Sequence, residues 1–297
     1  MRIAITGSSG LIGGALRASL EADGHHVLRV VRSDGGPGTT RWDIERGEID
    51  VAAFEGLDGV VHLAGEGIAE KRWTDDQKQR VRESRTKGTS LLATALGSLQ
   101  DKPPVLVSGS GIDFYGDRGD EQLTEASGRG APGFLTDLVV DWEAATGPAA
   151  AAGIRVAMIR TSMVLDRDGG ALPRMVKIAK LGVLGKIGSG RQWMSWITLV
   201  DHVRAVRFLL EHEVAGPVNL CAPGPVTNAV FTKALGRVVH RPTFVPVPRF
   251  GPKLLLGGEL AETLLFESKR AVPEVLLDSG FEFRHEDLET ALQEILR

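Results

Sequence analysis

The chain of 297 residues has one tyrosine, Tyr115, and one cysteine, Cys221. A lone cysteine excludes an internal disulfide and fits a reducing compartment. No nucleophile or metal-ligand constellation surrounds it, so it reads as a small buried hydrophobe, and no metal site is expected. Aromatic residues make up only 5% of the chain, and no apolar run approaches the ~20 residues of a membrane helix. Charge of one sign is also scarce. A formal net charge of -3 argues against a nucleic-acid surface and against an anchor for anionic membranes, so neither partner is expected. There is no internal repeat and no low-complexity segment. The first apolar strand begins almost at the initiator and leaves no room for a signal peptide, so a cytoplasmic protein is expected. Hydrophobic content of 42% and charged content of 25% are ordinary for a soluble globular chain, whose length suits one large domain or a domain with a cap.

Glycine is where the chain becomes specific. Ile3, Ala4 and Ile5 form a short apolar strand, and Gly7, Gly10 and Gly13 follow at G-x-x-G-x-x-G spacing. Leu11, Ile12, Ala15, Leu16 and Leu20 then recur with helical spacing. Strand, glycine turn and helix together make a dinucleotide site, because a pyrophosphate must reach backbone N–H groups at a helix N-terminus. The whole turn, Gly7, Ser8, Ser9, Gly10, Leu11, Ile12 and Gly13, is therefore assigned to cofactor binding, with Ser8 and Ser9 adding hydroxyl donors. Gly24 ends the helix and His26–Val31 is a second strand. Arg32 follows it, where an acidic residue would hold the ribose of NAD. A guanidinium there suits the 2′-phosphate of NADP instead, and no acidic residue competes before Asp34. The expected cofactor is NADP(H).

Asp34–Thr40 is a glycine-rich loop, followed by Trp42, Asp43 and a polar helix-like piece. Residues 59–65 are a strand running into a turn of small residues, His62-Leu63-Ala64-Gly65, that lets a flat cofactor pass close. Thr74–Leu96 reads as a long helix with Val81, Arg85, Gly88, Leu92 and Ala95 on one face. Arg85 thus sits in a packed stripe, explained either by a bound anion or by a snorkelling or internally paired side chain. Val105–Ser108 is a strand leading into Ser108–Gly116. Phe134–Ala152 is helical, and Ile154–Arg160 is a strand. The alternation gives an α/β fold, a doubly wound parallel sheet of Rossmann type with a smaller C-terminal lobe. The core is expected over residues 1–165, completed by about 197–222. The lobe is expected over 166–196 and 223–297. Asp201–Glu213 and Val218–Cys221 supply a further helix and strand. The prolines from Pro223 to Pro252 mark irregular chain.

These features resemble the extended short-chain dehydrogenase/reductase superfamily. They include the opening T-G-S-S-G-L-I-G, H-L-A-G at His62–Gly65, the phenylalanine-tyrosine-glycine stretch at Phe114–Gly116, and R-T-S-M-V-L at Arg160–Leu165. Within it, the chain is similar to an atypical epimerase-family group, through Arg72-Trp73, Trp142-Glu143, the run Gly188–Ile197, the run Asn219–Asn228 and Pro273–Phe283. The resemblance implies NADP(H) binding. It carries cofactor contacts to Arg32, Leu63, Ala64, Arg85 and Val164, with Gly65 and Ser108 beside them at the strand exits.

The superfamily's usual acid/base is Tyr-x-x-x-Lys. Four positions after Tyr115 stands Gly119, and the helix that would carry the pair has Phe134 and Leu138. Hydride transfer belongs to the cofactor, but another group must handle the substrate oxygen. Ser110 and Tyr115 are the candidate catalytic residues, with Asp113, Asp137 and Glu143 nearby. The plainer reading of Ser110 is a hydroxyl capping loop amides, and that of Tyr115 a packed aromatic. Arg191, Gln192, Trp193 and Trp196 either close over a ligand or pack the lobe on the core. The leading expectation is an NADP(H)-dependent oxidoreductase for an unnamed small carbonyl or hydroxyl substrate, with an oligomer allowed. A non-catalytic NADP(H)-binding sensor and a nucleotide-sugar epimerase are the alternatives.

Overall fold

The computed structural model describes residues 1–33, 35–243 and 246–297, so Asp34 lies outside the described residues. Strand β1 (Arg2–Thr6) has Ile3, Ala4 and Ile5 fully buried, as a strand covered on both faces must be. Helix α1 (Leu11–Ala22) crosses to β2 (His26–Val31), which runs parallel to β1. The piece after Trp42 differs in part from expectation: β3 (Thr39–Asp43) and β4 (Glu48–Ile49) form an antiparallel pair, and only Val51–Phe54 beyond them is helical, a single 3-10 turn. The polar residues between them make a tight turn, in which Asp43 Oδ1 accepts from Glu45 N and Arg46 N and Gly47 takes a φ of 67°. Strand β5 (Gly59–His62) lies on the other side of β1. Helix α2 (Asp75–Ser98) starts at Thr74, whose side chain accepts from Gln77 N. Then come β6 (Val105–Gly111) and the short β7 (Gln122–Leu123). The helix expected over Phe134–Ala152 is two helices, α3 (Phe134–Ala144) and α4 (Gly147–Ala151). The break has a local cause: Pro148 lacks the N–H that a continuous helix requires, and it sits in the first turn of α4 instead.

Strand β8 (Arg155–Thr161) completes the run before β9 (Met163–Leu165), α5 (Leu172–Lys180), β10 (Trp193–Met194) and β11 (Trp196–Thr198). Helix α6 (Leu199–Glu211) and β12 (Gly216–Leu220) return to the sheet. The chain expected to be irregular after Pro223 contains β13 (Val226–Thr227) and the helix α7 (Asn228–Val238). Pro225 and Pro242 bracket α7 rather than interrupt it, and Thr227 Oγ1 caps it by accepting from Val230 N. Helices α8 (Phe250–Leu256) and α9 (Gly258–Ala261), strand β14 (Arg270–Ala271), α10 (Glu274–Asp278) and α11 (Leu288–Leu296) finish the fold.

Among the described residues one sheet has the order β12-β8-β6-β5-β1-β2-β3-β4, parallel except for β4. Helices α1 and α6 cover one face through Leu16, Leu20, Val206 and Leu209 against Ile3, Ile5 and Val107. Helices α2 and α4 cover the other, through Leu92, Leu96 and Ala149. The lobe has its own core, in which Trp196, Phe231, Leu235 and Leu292 meet. Leu276 and Phe281, on the lobe side of the expected division, pack into the α1/α6 face of the sheet. The strand order turns around at β1, with β2 on one side and β5 on the other, so the crevice for a ligand opens at the C-terminal ends of β1, β5 and β6.

Candidate functional site

The glycine turn between β1 and α1 is shaped by close approach. Gly7 has a φ of 67°, and a Cβ there would stand 2.8 Å from the carbonyl carbon of Leu63. A Cβ on Gly13 would run into the Gly7 carbonyl oxygen. Only glycine fits either position. Gly10 N donates back to Gly7 O at 3.0 Å, which tightens the turn. Among the described residues no side chain caps α1, and its first turn holds no acidic residue. Its leading N–H groups are thus left for an anion, favoured by the helix dipole. Ser8 is buried, Ser9 and Gly10 are exposed, and Leu11 and Ile12 are half-buried. Leu11 lies against Gly169, whose Cβ would meet Leu11 Cδ1 at 2.5 Å.

The exit of β5 is fixed from below. Thr6 Oγ1 accepts from Leu63 N at 3.0 Å and Ala64 N at 3.1 Å. Its own proton therefore goes to His62 Nδ1, 2.7 Å away, and His62 Nε2–H donates to Thr89 Oγ1 at 2.9 Å. Burial, helped by the nearby Arg85 charge, pushes the imidazole down to about 4 and keeps it neutral. Above it, Arg85 is only 7% exposed. Its Nη1 donates to the carbonyls of Glu66 and Val81 at 2.8 and 3.2 Å, and its guanidinium lies 5.0 Å from the Trp142 ring. Among the described residues Arg85 Nε has no partner, and no carboxylate forms an ion pair with this guanidinium. Burial lowers it to about 10, against the raising pull of Glu66 and Asp113. A Cβ on Gly65 would stand 3.1 Å from Arg85 Cζ, so the glycine turn after β5 lies directly on the guanidinium. Arg32 is exposed just past the end of β2.

The end of β6 is built differently. Ser110 Oγ donates to Glu143 Oε1 on α3 at 2.6 Å. Arg160 from β8 grips the same carboxylate with Nε and Nη2 at 2.7 and 2.8 Å. Its Nη1 donates to the Tyr115 hydroxyl at 3.0 Å, which in turn donates to Asn219 Oδ1 of β12 at 2.8 Å. The Arg160 guanidinium also stacks 3.5 Å from the Phe114 ring centroid. Burial pulls this guanidinium down, but Glu143 and Tyr115 outweigh it and raise it above its ordinary value. Burial pushes the Tyr115 phenol up to about 12 despite the Arg160 charge. Tyr115 is fully buried with its hydroxyl used as both donor and acceptor, which places it as a packed, hydrogen-bonded aromatic behind the crevice. Ser108 is fully buried inside β6, and Val164 lies half-buried on β9, paired in parallel with Ile197.

Phe134 and Leu138 occupy the front of α3. Phe134 meets Trp73 edge to face, centroids 4.8 Å apart, and Leu138 is buried against Val81 and Leu135. Asp137 is tied to Arg129 at 2.6 Å on the surface. Asp113 is held by Lys269 at 3.1 Å, and that lysine also donates to Glu267 at 2.7 Å and to the Thr263 carbonyl at 3.2 Å. Burial would lower the Lys269 ammonium, but Asp113 and Glu267 raise it above its usual value. The run Arg191–Trp196 packs the lobe: Trp196 is fully buried and donates Nε1–H to Gly224 O, and Gln192 donates to Ile187 O and Leu265 O. Cys221 is buried, its thiol pushed up by burial. The sequence reading missed Thr6, Arg160, Asn219 and Lys269. Thr6, Arg160 and Asn219 stand within motifs already named, but their partners lie on other elements, so the chain order does not show what they hold.

Residues 3–221 match the NAD dependent epimerase/dehydratase family, and residues 247–295 match a domain of unknown function, DUF1731. Epimerase family protein Mb2239 of Mycobacterium bovis is 43% identical over 292 residues, covering 98% of this chain and 96% of the relative. Epimerase family protein YfhF of Bacillus subtilis is 34% identical over 302 residues, covering 100% of this chain and 98% of the relative. The crystal structure of human epimerase family protein SDR39U1 (isoform2) with NADPH superposes with a TM-score of 0.92 at 33% identity, covering 100% of this chain and 99% of that one. The chain belongs to the NAD dependent epimerase/dehydratase family, among the SDR39U1-like epimerase family proteins.

Proposed function

We propose that the chain binds NADP(H) and works as an oxidoreductase on a small carbonyl or hydroxyl compound. The observation that carries the reading is the uncapped N-terminus of α1, walled by Gly7 and Gly13 where no Cβ fits. The residues suit the cofactor at three points. The α1 turn offers N–H groups to the pyrophosphate. Arg85, buried and with its Nε unpartnered among the described residues, offers a cation beside Gly65. Arg32 stands where the adenosine ribose ends and offers a fork to its 2′-phosphate. The human relative SDR39U1, crystallised with NADPH, supports the same reading.

When bound, the nicotinamide supplies or accepts the hydride. The chain's part is the proton. Ser110 Oγ donates its hydrogen bond to Glu143 Oε1 and keeps lone pairs for a substrate hydroxyl. A proton taken from that hydroxyl passes through Ser110 to the Glu143 carboxylate, and in the reverse direction it returns by the same two oxygens. Arg160 holds Glu143 in place, and Tyr115 holds Arg160. A second reading, a non-catalytic NADP(H) sensor, draws on Phe134 and Leu138, neither of which moves a proton.

Calorimetric titration of the unmodified protein with NADPH and NADH tests the cofactor. A bidentate charge-assisted contact at Arg32 is worth about 1.5–3 kcal/mol, so NADPH should bind roughly ten- to a hundredfold tighter. Arg32→Asp should remove the preference, whereas Arg85→Ala should weaken both cofactors. Equal affinities in the unmodified protein would sink the assignment of Arg32. A carbonyl and alcohol screen followed by NADPH absorbance tests the reaction. Turnover that Ser110→Ala lowers in kcat without loss of NADPH affinity favours the enzyme, and tight NADPH binding with no turnover favours the sensor.

A further inference from the structure

Beside the loop that leaves β5, the lobe presents apolar side chains to solvent. On α8, Phe250 is 72% exposed, Leu254 77% and Leu255 74%, and the helix buries no residue. On α5 and just past it, Arg174, Lys177, Ile178 and Leu181 recur at i, i+3, i+4 and i+7, and all four are exposed. Leu181 is 69% exposed, and Val183 beyond it 54%. The two regions adjoin: Val247 N donates to Lys186 O and Gly188 N to Val247 O, both at 2.9 Å, so the loop after α5 runs beside the approach to α8.

Charge is sorted onto this face. Residues 167–191 hold Arg167, Arg174, Lys177, Lys180, Lys186 and Arg191 against the single acid Asp168. Residues 229–253 hold Lys233, Arg237, Arg241, Arg249 and Lys253 and no acid. Arg237 is engaged by Glu289, and Arg249 and Lys253 by Glu262. Among the described residues no carboxylate pairs with Lys177, Lys180, Lys186 or Lys233. Beside α7 a groove of about 530 Å³ is lined by Lys186, Lys233, Arg237, His240 and Arg241. The chain's net charge is -3, yet the free lysines Lys177, Lys180 and Lys186 stand along the segment that carries the exposed Ile178, Leu181 and Val183, while the cations of α8 itself are paired with Glu262.

We propose that this face docks on an anionic lipid surface. Phe250, Leu254, Leu255 and Leu181 enter the headgroup region, and the free lysines of α5 and its following loop pair with lipid phosphates. The shape argues for lipid over an acidic protein: these apolar side chains protrude rather than line a concave seat, as interfacial insertion requires. Arg72, from the loop that leaves β5, donates Nη2 to the carbonyls of Leu254 and Leu255 at 2.6 and 3.1 Å. Docking therefore sets the crevice side of the molecule next to the lipid.

Flotation of the full chain with vesicles tests this. Vesicles of phosphatidylcholine mixed with phosphatidylglycerol should bind the protein, with binding falling as salt rises, and vesicles of phosphatidylcholine alone should not. Each lysine near such a surface is worth about fivefold in partitioning, so Lys177→Gln, Lys180→Gln and Lys186→Gln together should weaken binding roughly a hundredfold. Leu254→Ser with Leu255→Ser should abolish it while leaving the thermal midpoint and NADPH affinity in place. No binding to the anionic vesicles at low salt would overturn the proposal, as would full binding by the triple glutamine variant. Two further results would also overturn it. A dimer in sedimentation that the double serine variant dissociates would show that a second copy covers the face. Binding to polyglutamate without binding to vesicles would show an acidic protein surface as its partner.

Discussion

Two polar regions meet at the ends of the central strands, and they are built on opposite terms. The turn between β1 and α1 keeps donors open: α1 is uncapped among the described residues, and Arg85 close by has an unpartnered Nε. Behind β6 the groups are closed on one another, with Ser110, Glu143, Arg160, Tyr115 and Asn219 linked in one chain of hydrogen bonds. Buried polar groups left open cost stability unless something fills them, so the first region is shaped for a ligand. The second holds β6, α3, β8 and β12 in register. In the proposed reaction it would meet the substrate only through Ser110.

The largest expected effect separates the two directly. Glu143→Ala leaves the Arg160 guanidinium, 4% exposed, without its carboxylate. Loss of one partner from such a buried pair should cost about 3–5 kcal/mol in urea unfolding. NADPH affinity should change little, and a large loss of affinity in a still-folded variant would erase the distinction between the regions.

Acid should weaken the β5 exit beneath Arg85. The folded His62 sits at about 4 against 6.5 in the unfolded chain. Between those values the unfolded chain takes up a proton that the folded chain refuses, so stability is full above the unfolded value and falls as pH drops towards the folded one. His62 alone contributes a loss on the order of 3 kcal/mol across that window, and the buried His202, at about 3, adds to it. Unfolding midpoints that stay level from pH 7 to pH 4.5 would show that neither ring is buried neutral.

Gly13→Ala should cost less in stability, about 1–3 kcal/mol from overpacking against the Gly7 carbonyl. Its effect on NADPH should be at least as large, a loss beyond about a hundredfold by calorimetry. Binding retained within a few fold would move the cofactor away from this turn.

The same contrast explains what the sequence made legible. The glycine turn lies within a dozen residues, and its spacing carries the geometry, so strand, turn and helix could all be read. Arg85 was visible because helical periodicity places it on the buried face of α2. The network was invisible as a network, since Ser110 and Asn219 come from strands on either side of β8. Glu143 and Tyr115 were noticed singly, but nothing along the chain says that Arg160 joins them. Helix α7 was hidden because Pro225 and Pro242 flank it, and prolines near a helix signal its ends as readily as its absence. The break before α4 was missed although Pro148 was there to be read.

The order of the strands also has a consequence for synthesis. The edge of β8 is covered by β12, and residues 162–215 must be made between the two. At about 5–20 residues per second, that leaves roughly 3–11 s in which Ala157 and Ile159 sit on an unpaired edge of a growing sheet. The covering helix α6 is made in the same interval, so the α1 face is also incomplete until then. A nascent chain stopped at Leu165 would hold the whole cofactor turn yet present a sticky sheet edge, and such a fragment should aggregate in size-exclusion chromatography. The edge strand β12 thus acts as a closing stitch on the translation clock, and whatever shields the ribosome-bound chain has to cover β8 until β12 arrives.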